Sequence, residues 1–226
     1  MRRFNDIRLL PKLMALFLLV GIVPLATIAF IARGQASSSL DQEARAKVAE
    51  LAFNASDKLD RNLFERYGDV QAFALSQPAK SMNPEGLNDW MNKMMGIYAP
   101  ICTLMVVADP SGKIIAVNSV DLEGKQLDTS ALLGRDVRDE EWFKAATGNT
   151  LKPNQTFVED LHDDSLMATV FGAGEKARAM SFTFPIRDDD GKLVGVWTNR
   201  FNWAVTYDVL TAVLERAHES GMTTAE

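Results

Sequence analysis

The chain is short of the residues on which catalysis, metal binding and covalent stapling depend. Its single cysteine, Cys102, excludes an intramolecular disulfide, so the fold must rest on its hydrophobic core. The two histidines, His162 and His218, stand far apart, and neither a nucleophile elbow nor a phosphate-cradling loop accompanies them. Zinc would need more ligands at the right spacing. Asp188, Asp189 and Asp190 lack the spaced partners and distal glutamate of a calcium loop. These gaps argue against an enzyme, a metal centre and any cofactor. An excess of basic charge is missing too. The 226 residues carry 24 basic and 30 acidic side chains, and the 191 residues after position 35 have a net charge of −10. Such a body is a poor partner for nucleic acid or an anionic membrane surface. No internal repeat is evident, and after residue 32 no apolar run approaches 18 residues.

What is present begins with one such run. Residues 13–32 read LMALFLLVGIVPLATIAFIA without a charge, between Lys12 and Arg33. At about 1.5 Å per residue, 20 residues cross a hydrocarbon core of roughly 30 Å. Arg2, Arg3, Arg8 and Lys12 precede the run against Asp6 alone, which keeps residues 1–12 in the cytoplasm and sends everything after residue 32 outside. A cleaved signal has a shorter core and an A-x-A-like exit. Here the core is longer and the exit is Arg33-Gly34-Gln35-Ala36, so an uncleaved anchor is the favoured reading and export follows from either.

From residue 36 to 77 apolar residues recur in steps of three and four, through Leu40, Ala44, Val48, Leu51, Ala55, Leu59, Leu63, Tyr67, Val70 and Ala74. This predicts a long amphipathic helix of about 60 Å, with Ser37, Ser38 and Ser39 as N-cap candidates and Pro78 as its stop. It could cover a sheet, continue the membrane helix as a stalk, or pair with a second copy through residues 40–63. A shorter helix is expected at residues 84–98, and a hairpin at 102–108 and 114–117 around Asp109-Pro110-Ser111-Gly112. A loop over residues 121–136 and a short helix at 140–146 follow. Residues 167–171 read as a β-prone run and His162-Asp163-Asp164 as a solvated loop. A second hairpin joins 177–186 to 193–201 through an aspartate-rich turn, and an amphipathic helix spans about 203–219. Together these describe an α+β domain, a small antiparallel sheet backed by the long helix.

Five features taken in order resemble the extracytoplasmic Cache sensor domains of bacterial methyl-accepting chemotaxis receptors and some sensor kinases. They are the membrane helix, the long exported helix, VVADPSGKIIAVN, the G-x-D-V-x-D-x-x-W-F stretch ending at Trp142-Phe143, and SFTFPIRDDDGKLVGVW. The resemblance covers residues 10–215. It implies an N-terminal transmembrane helix continuing into a long helix packed on a PAS-like antiparallel sheet, with the sensor domain over residues 78–202 and a C-terminal helix and tail over 203–226. It further implies a small-molecule ligand on one sheet face, a homodimer through the long helix, and location in the bacterial inner membrane. In the two-module form of the family this would be the membrane-distal module. A receptor also needs a return span and a cytoplasmic coiled coil, so the chain reads as a truncated receptor, with a self-contained anchored binding protein as the other reading.

Many amino-acid-binding members carry R-x-W-Y in the loop and an aspartate late in the last strand. Here Trp142 is retained, whereas Glu140, Phe143 and Arg200 stand at the arginine, tyrosine and aspartate positions. A free amino acid would lose both complementary charges, and Arg200 suits an anionic ligand instead. The alternative for Arg200 is a surface position on an edge strand. Trp142 and Phe143 form either a ligand wall or a plug for the loop. Asn118 offers an amide to a ligand or satisfies a turn. Met180 and Phe182 share a face that is either pocket or core.

Overall fold

The computed structural model describes residues 9–148 and 150–219. Part of the expected cytoplasmic segment, residues 1–8, and the end of the C-terminal tail, residues 220–226, lie outside the described residues. The chain divides after Asn54 into two units. Helix α1 (Leu9–Ala74) supplies the whole described part of the first unit. Over residues 13–32 it is apolar on every side, and an 18-residue stretch of the helix has mean hydropathy 2.6 and no buried residue, which makes it long and apolar enough to cross a membrane. Pro24 lies inside this stretch, and the Thr27 hydroxyl donates to the Val23 carbonyl at 2.8 Å. Ser37, Ser38 and Ser39 are interior to α1 and cap nothing, because helix continues through them.

The second unit begins with the last turns of α1, where Val70, Phe73 and Ala74 are buried. Short helix α2 (Gln77–Ser81) follows, with Pro78 in its first turn; Pro78 therefore opens a helix and does not stop one. The actual break is at residues 75–76, where the Ser76 hydroxyl accepts from the Ala79 amide at 3.3 Å. Helix α3 (Pro84–Ile97) is capped by Asn83, whose Oδ1 accepts from the Gly86 amide. Five antiparallel strands come next: β1 (Cys102–Ala108), β2 (Ile114–Val117), β3 (Phe157–Asp163), β4 (Arg178–Arg187) and β5 (Leu193–Phe201), arranged in the order β2-β1-β5-β4-β3. Helices α4 (Glu141–Thr147) and α5 (Ser165–Phe171) flank β3 in the chain, and α6 (Ala204–Glu219) follows β5.

Both sheet faces are covered, and strand alternation divides the side chains between two cores. Met105, Val107, Met180, Phe182, Phe184, Trp197 and Phe201 pack with Phe73, Leu87, Met91 and Met95 of α1 and α3. Phe73 stands edge-on to Trp90 and Tyr98, with ring centroids 5.3 and 4.9 Å away, and Trp90 is likewise edge-on to Trp197 at 5.5 Å. Such pairs contribute about 0.5–1.5 kcal/mol each beyond area burial. On the other face Leu104, Val106, Val196 and Ala179 pack with Trp142, Phe143, Leu166 and Met167 of α4 and α5.

Two elements differ from the sequence expectation. Residues 167–171, expected as a β-prone run, belong to helix α5 (Ser165–Phe171), because Asp164 caps the segment: its Oδ1 accepts from the Leu166 and Met167 amides at 2.9 and 2.8 Å. His162 and Asp163, expected in a loop, close the edge strand β3, whose mixed polar sequence carries little apolar alternation.

Three turns share one chemistry, the pattern D-x-x-G-K. In Asp109–Lys113, Asp121–Lys125 and Asp188–Lys192, the aspartate Oδ1 accepts from the amides two and four residues on, while the aspartate amide donates back to the lysine carbonyl. Each glycine has a positive φ, near +80°, which the return of the chain requires. Only Gly112 is also crowded: a Cβ there would lie 3.2 Å from the Arg138 backbone nitrogen and closer still to its side chain, whereas Gly124 faces open space. We expect Gly124→Ala to cost about 1 kcal/mol, the left-handed penalty alone, and Gly112→Ala to cost measurably more. Chemical denaturation of both variants, followed by tryptophan fluorescence, checks the order.

Candidate functional site

Strand β5 occupies the middle of the sheet, so the alternative of a surface Arg200 on an edge strand does not hold. Its last six residues alternate strictly. Trp197, Asn199 and Phe201 face α1 and α3, and the Trp197 indole N–H is met by Asn199 Oδ1 at 2.7 Å. Val196, Thr198 and Arg200 face α4 and α5. The neighbouring β4 places Ser181 and Thr183 on that same face, in register with Arg200 and Thr198. All four polar residues are buried, Arg200 to 1 % exposure.

A guanidinium at that depth needs a counter-charge and hydrogen-bond acceptors. Arg200 Nε donates to Asp164 Oδ2 at 2.6 Å, and its Nη1 donates to the Thr198 hydroxyl. Thr198 in turn shares a hydrogen bond with Thr183, the hydroxyls being 2.7 Å apart. The Ser181 hydroxyl donates to Glu159 of β3. His162 Nε2 lies 3.5 Å from the same Asp164 oxygen that holds Arg200. Trp142 covers the cluster, its ring centroid 5.5 Å from the Arg200 guanidinium carbon, a favourable cation–π placement. Asp164 is thereby bound on both oxygens, to α5 amides through one and to Arg200 through the other. Burial alone would raise its pKa, but the Arg200 charge, the Met167 amide and the Arg200 hydrogen bond outweigh this and hold the carboxyl below its ordinary value.

The residues singled out from sequence separate into three places. Trp142, Phe143 and Arg200 come together on the α4–α5 face, with Trp142 and Phe143 edge-on at 5.9 Å and both buried. Met180 and Phe182 are brought to the opposite face, in the core beneath α1 and α3. Asn118 is fully buried at the end of β2, where its Oδ1 accepts from the Met105 amide at 2.7 Å and its Nδ2 donates to the Val120 carbonyl at 2.9 Å. Its amide is thus engaged on both sides by backbone. Cys102 is buried in β1, and burial pushes its thiol up to about 12, so it keeps its proton at neutral pH. Sequence reasoning missed Asp164, Thr198, Thr183 and Ser181. The alternation of hydroxyls with aromatic residues along β4 and β5 was their signal, as was an aspartate immediately before an apolar run for the cap.

No protein-family model matches the chain, and no curated protein matches it by sequence. Among solved structures it is similar to an extracellular ligand-binding receptor from Desulfohalobium retbaense, with TM-score 0.56, 14 % identity, and coverage of 73 % of this chain and 26 % of that one. It is also similar to the sensor domain of the V. cholerae histidine kinase DctB, with TM-score 0.53 and 12 % identity over 74 % of this chain and 59 % of the other. A third is the ligand-binding domain of the Campylobacter jejuni chemoreceptor Tlp3 in complex with 4-methylisoleucine, with TM-score 0.51 and 15 % identity over 71 % and 59 %. The chain spans about a quarter to three-fifths of the lengths of these structures. At such identities the likeness is one of fold alone.

Asp164 gives the site a pH signature. Its folded pKa lies below the unfolded value of about 3.9, so its stabilisation is complete above that value and is lost as pH falls through the folded pKa. Removing one partner of a buried pair costs about 3–5 kcal/mol. The stability gap between the wild type and Asp164→Asn, measured by thermal melts of the full chain in detergent, should be constant between about pH 5 and 7 and narrow below about pH 3.9. A gap that widens on acidification would contradict this assignment.

Proposed function

We propose that the residues after the apolar helix form the extracytoplasmic ligand-sensing module of a bacterial chemotaxis transducer, binding a small anionic metabolite on the α4–α5 face. The observation that carries this reading is the buried Arg200 on the central strand, whose one ion-pair partner among the described residues is Asp164, the cap of α5. A ligand carboxylate would take the guanidinium in place of Asp164, with Trp142 and Phe143 as the apolar wall over it. The fold shared with extracellular sensor domains of receptors supports the sensing role. Asn118, Met180 and Phe182 would then support the sheet and not touch the ligand.

Ligand binding would act by exchanging one partner of Arg200 for another. The displaced Asp164 also holds the first turn of α5, so exchange and α5 position are linked. The ligand shifts the two arrangements only by its difference in affinity for them. A path from this face to α1 is available: the Thr156 amide and hydroxyl, immediately before β3, donate to the Tyr67 hydroxyl and carbonyl, each at 2.9 Å. We further propose that residues 13–32 anchor the chain in the inner membrane with residues 1–12 cytoplasmic, and that α1 pairs with a second copy through residues 40–63. The fold is shared with a histidine kinase sensor domain as well, which supports kinase input as the second reading of the output.

The test is a binding screen of the full chain in detergent against mono- and dicarboxylates and neutral and zwitterionic amino acids. Carboxylates should bind, Arg200→Met should abolish that binding, and Asp164→Asn, which frees the guanidinium, should tighten it about tenfold, the equivalent of about 1.4 kcal/mol. Binding confined to neutral compounds and indifferent to both substitutions would remove the anion assignment.

A further inference from the structure

A second pocket lies away from this face, at the outer end of β4. Strand β3 begins at Phe157, which pairs with Thr183, so β4 beyond Thr183 has β5 on one side and no ladder partner on the other. The segment before β3 arches past that open edge. It is closed on itself by a reciprocal pair of hydrogen bonds, the Lys152 amide to Gln155 Oε1 and the Gln155 amide to the Lys152 carbonyl, each at 3.0 Å. The space between the arch and the strand is a cavity of about 390 Å³, within the range of small-molecule sites.

Its walls combine two chemistries. Leu75, Leu151, Phe184 and Pro185 supply apolar surface, and Lys152 and Arg187 supply positive charge. No aspartate or glutamate lines it among the described residues, and neither cation forms an ion pair there; Arg187 spends one N–H on the Gly191 carbonyl at 3.0 Å. In a body with a net charge of −10 outside its first 35 residues, a hollow lined by two cations and by no carboxylate among the described residues is a local exception, the nearest acids in the chain being Asp188, Asp189 and Asp190 of the turn that follows Arg187.

We propose that this pocket is a second ligand site, taking a small monocarboxylate with an apolar body. The carboxylate meets Lys152 and Arg187, and the hydrocarbon lies against Leu75, Leu151 and Phe184. The site also has a direct connection to α1. Gln71 Nε2 donates to the carbonyl of Asn154, in the arch, at 2.9 Å, and to the Thr156 hydroxyl at 3.0 Å. A ligand that fixes the arch therefore fixes its attachment to the last turns of α1. The inference stands apart from the Arg200 reading, since the two sites share no residue that would touch a ligand.

Titration calorimetry of the full chain in detergent with sodium hexanoate, 1-hexanol and hexylammonium chloride tests it. Hexanoate should bind saturably and at least about tenfold more tightly than the other two. Lys152→Gln with Arg187→Gln should lose that preference, and Lys152→Glu with Arg187→Glu should transfer it to hexylammonium. Both substituted side chains are exposed, and unchanged melting temperatures would show the fold intact. Arg200→Met should leave hexanoate binding unaltered. Hexanoate binding abolished by Arg200→Met but indifferent to the Lys152 and Arg187 changes would overturn the second site and assign the anion to the sheet face. No binding up to about 10 mM, or equal binding of hexanol, would overturn it as well.

Discussion

A central strand covered on both faces must commit every residue to one side or the other, and β5 does so without exception over its last six residues. That constraint places Trp197 and Phe201 under α1 and α3, and it equally forces Arg200 into the opposite layer. A buried guanidinium then dictates its surroundings: Thr198 beside it, Thr183 behind that, Trp142 above, and Asp164 as counter-charge. Helix α5 exists where it does because the same aspartate caps it. One ion pair thus decides a secondary structure, the cover of one sheet face and the chemistry of that face. Such a pair is weak as a source of net stability and strong as a determinant of arrangement, since losing either partner leaves the other uncompensated.

What the sequence made legible was local. Hairpins joined by D-x-x-G-K turns announce themselves because the aspartate, glycine and flanking apolar runs sit within a dozen residues. Helices α3 and α6 carry their periodicity openly, and the apolar segment of α1 needs only a count. Helix α5 and strand β3 were read otherwise. The segment SLMATVF has β-prone composition, and what makes it helical is a cap whose second oxygen is held by Arg200, 36 residues away. FVEDLHD lacks a clean apolar alternation because, at the sheet edge, one neighbour is enough to fix it. Half of the candidate site was likewise out of reach: strand parity separates Met180 and Phe182 from Arg200, but parity alone does not say which face carries α1.

Helix α1 meets the sheet through a less settled contact than the aromatic cluster around Phe73. Arg66 is buried to 5 % exposure, and its Nε lies 2.9 Å from Asp69 Oδ2 without the alignment of a hydrogen bond. Arg66 Nη1 and Asn62 Oδ1 are also buried without a hydrogen-bond partner. Burial, only partly offset by Arg66 and reinforced by Glu65, raises the Asp69 pKa above its ordinary value. Unsatisfied polar atoms cost free energy that a small shift of the helix could recover. The aromatic and aliphatic contacts at residues 70–74 therefore fix where α1 ends on the sheet, while the turns before them are held more loosely.

Pro185 has a consequence beyond the pocket it lines. An open strand edge is a template on which another chain can add a strand. A proline at the second of the four unpaired residues of β4 removes an amide from that template and stiffens the backbone around it. The edge can border a cavity without becoming a site of self-association.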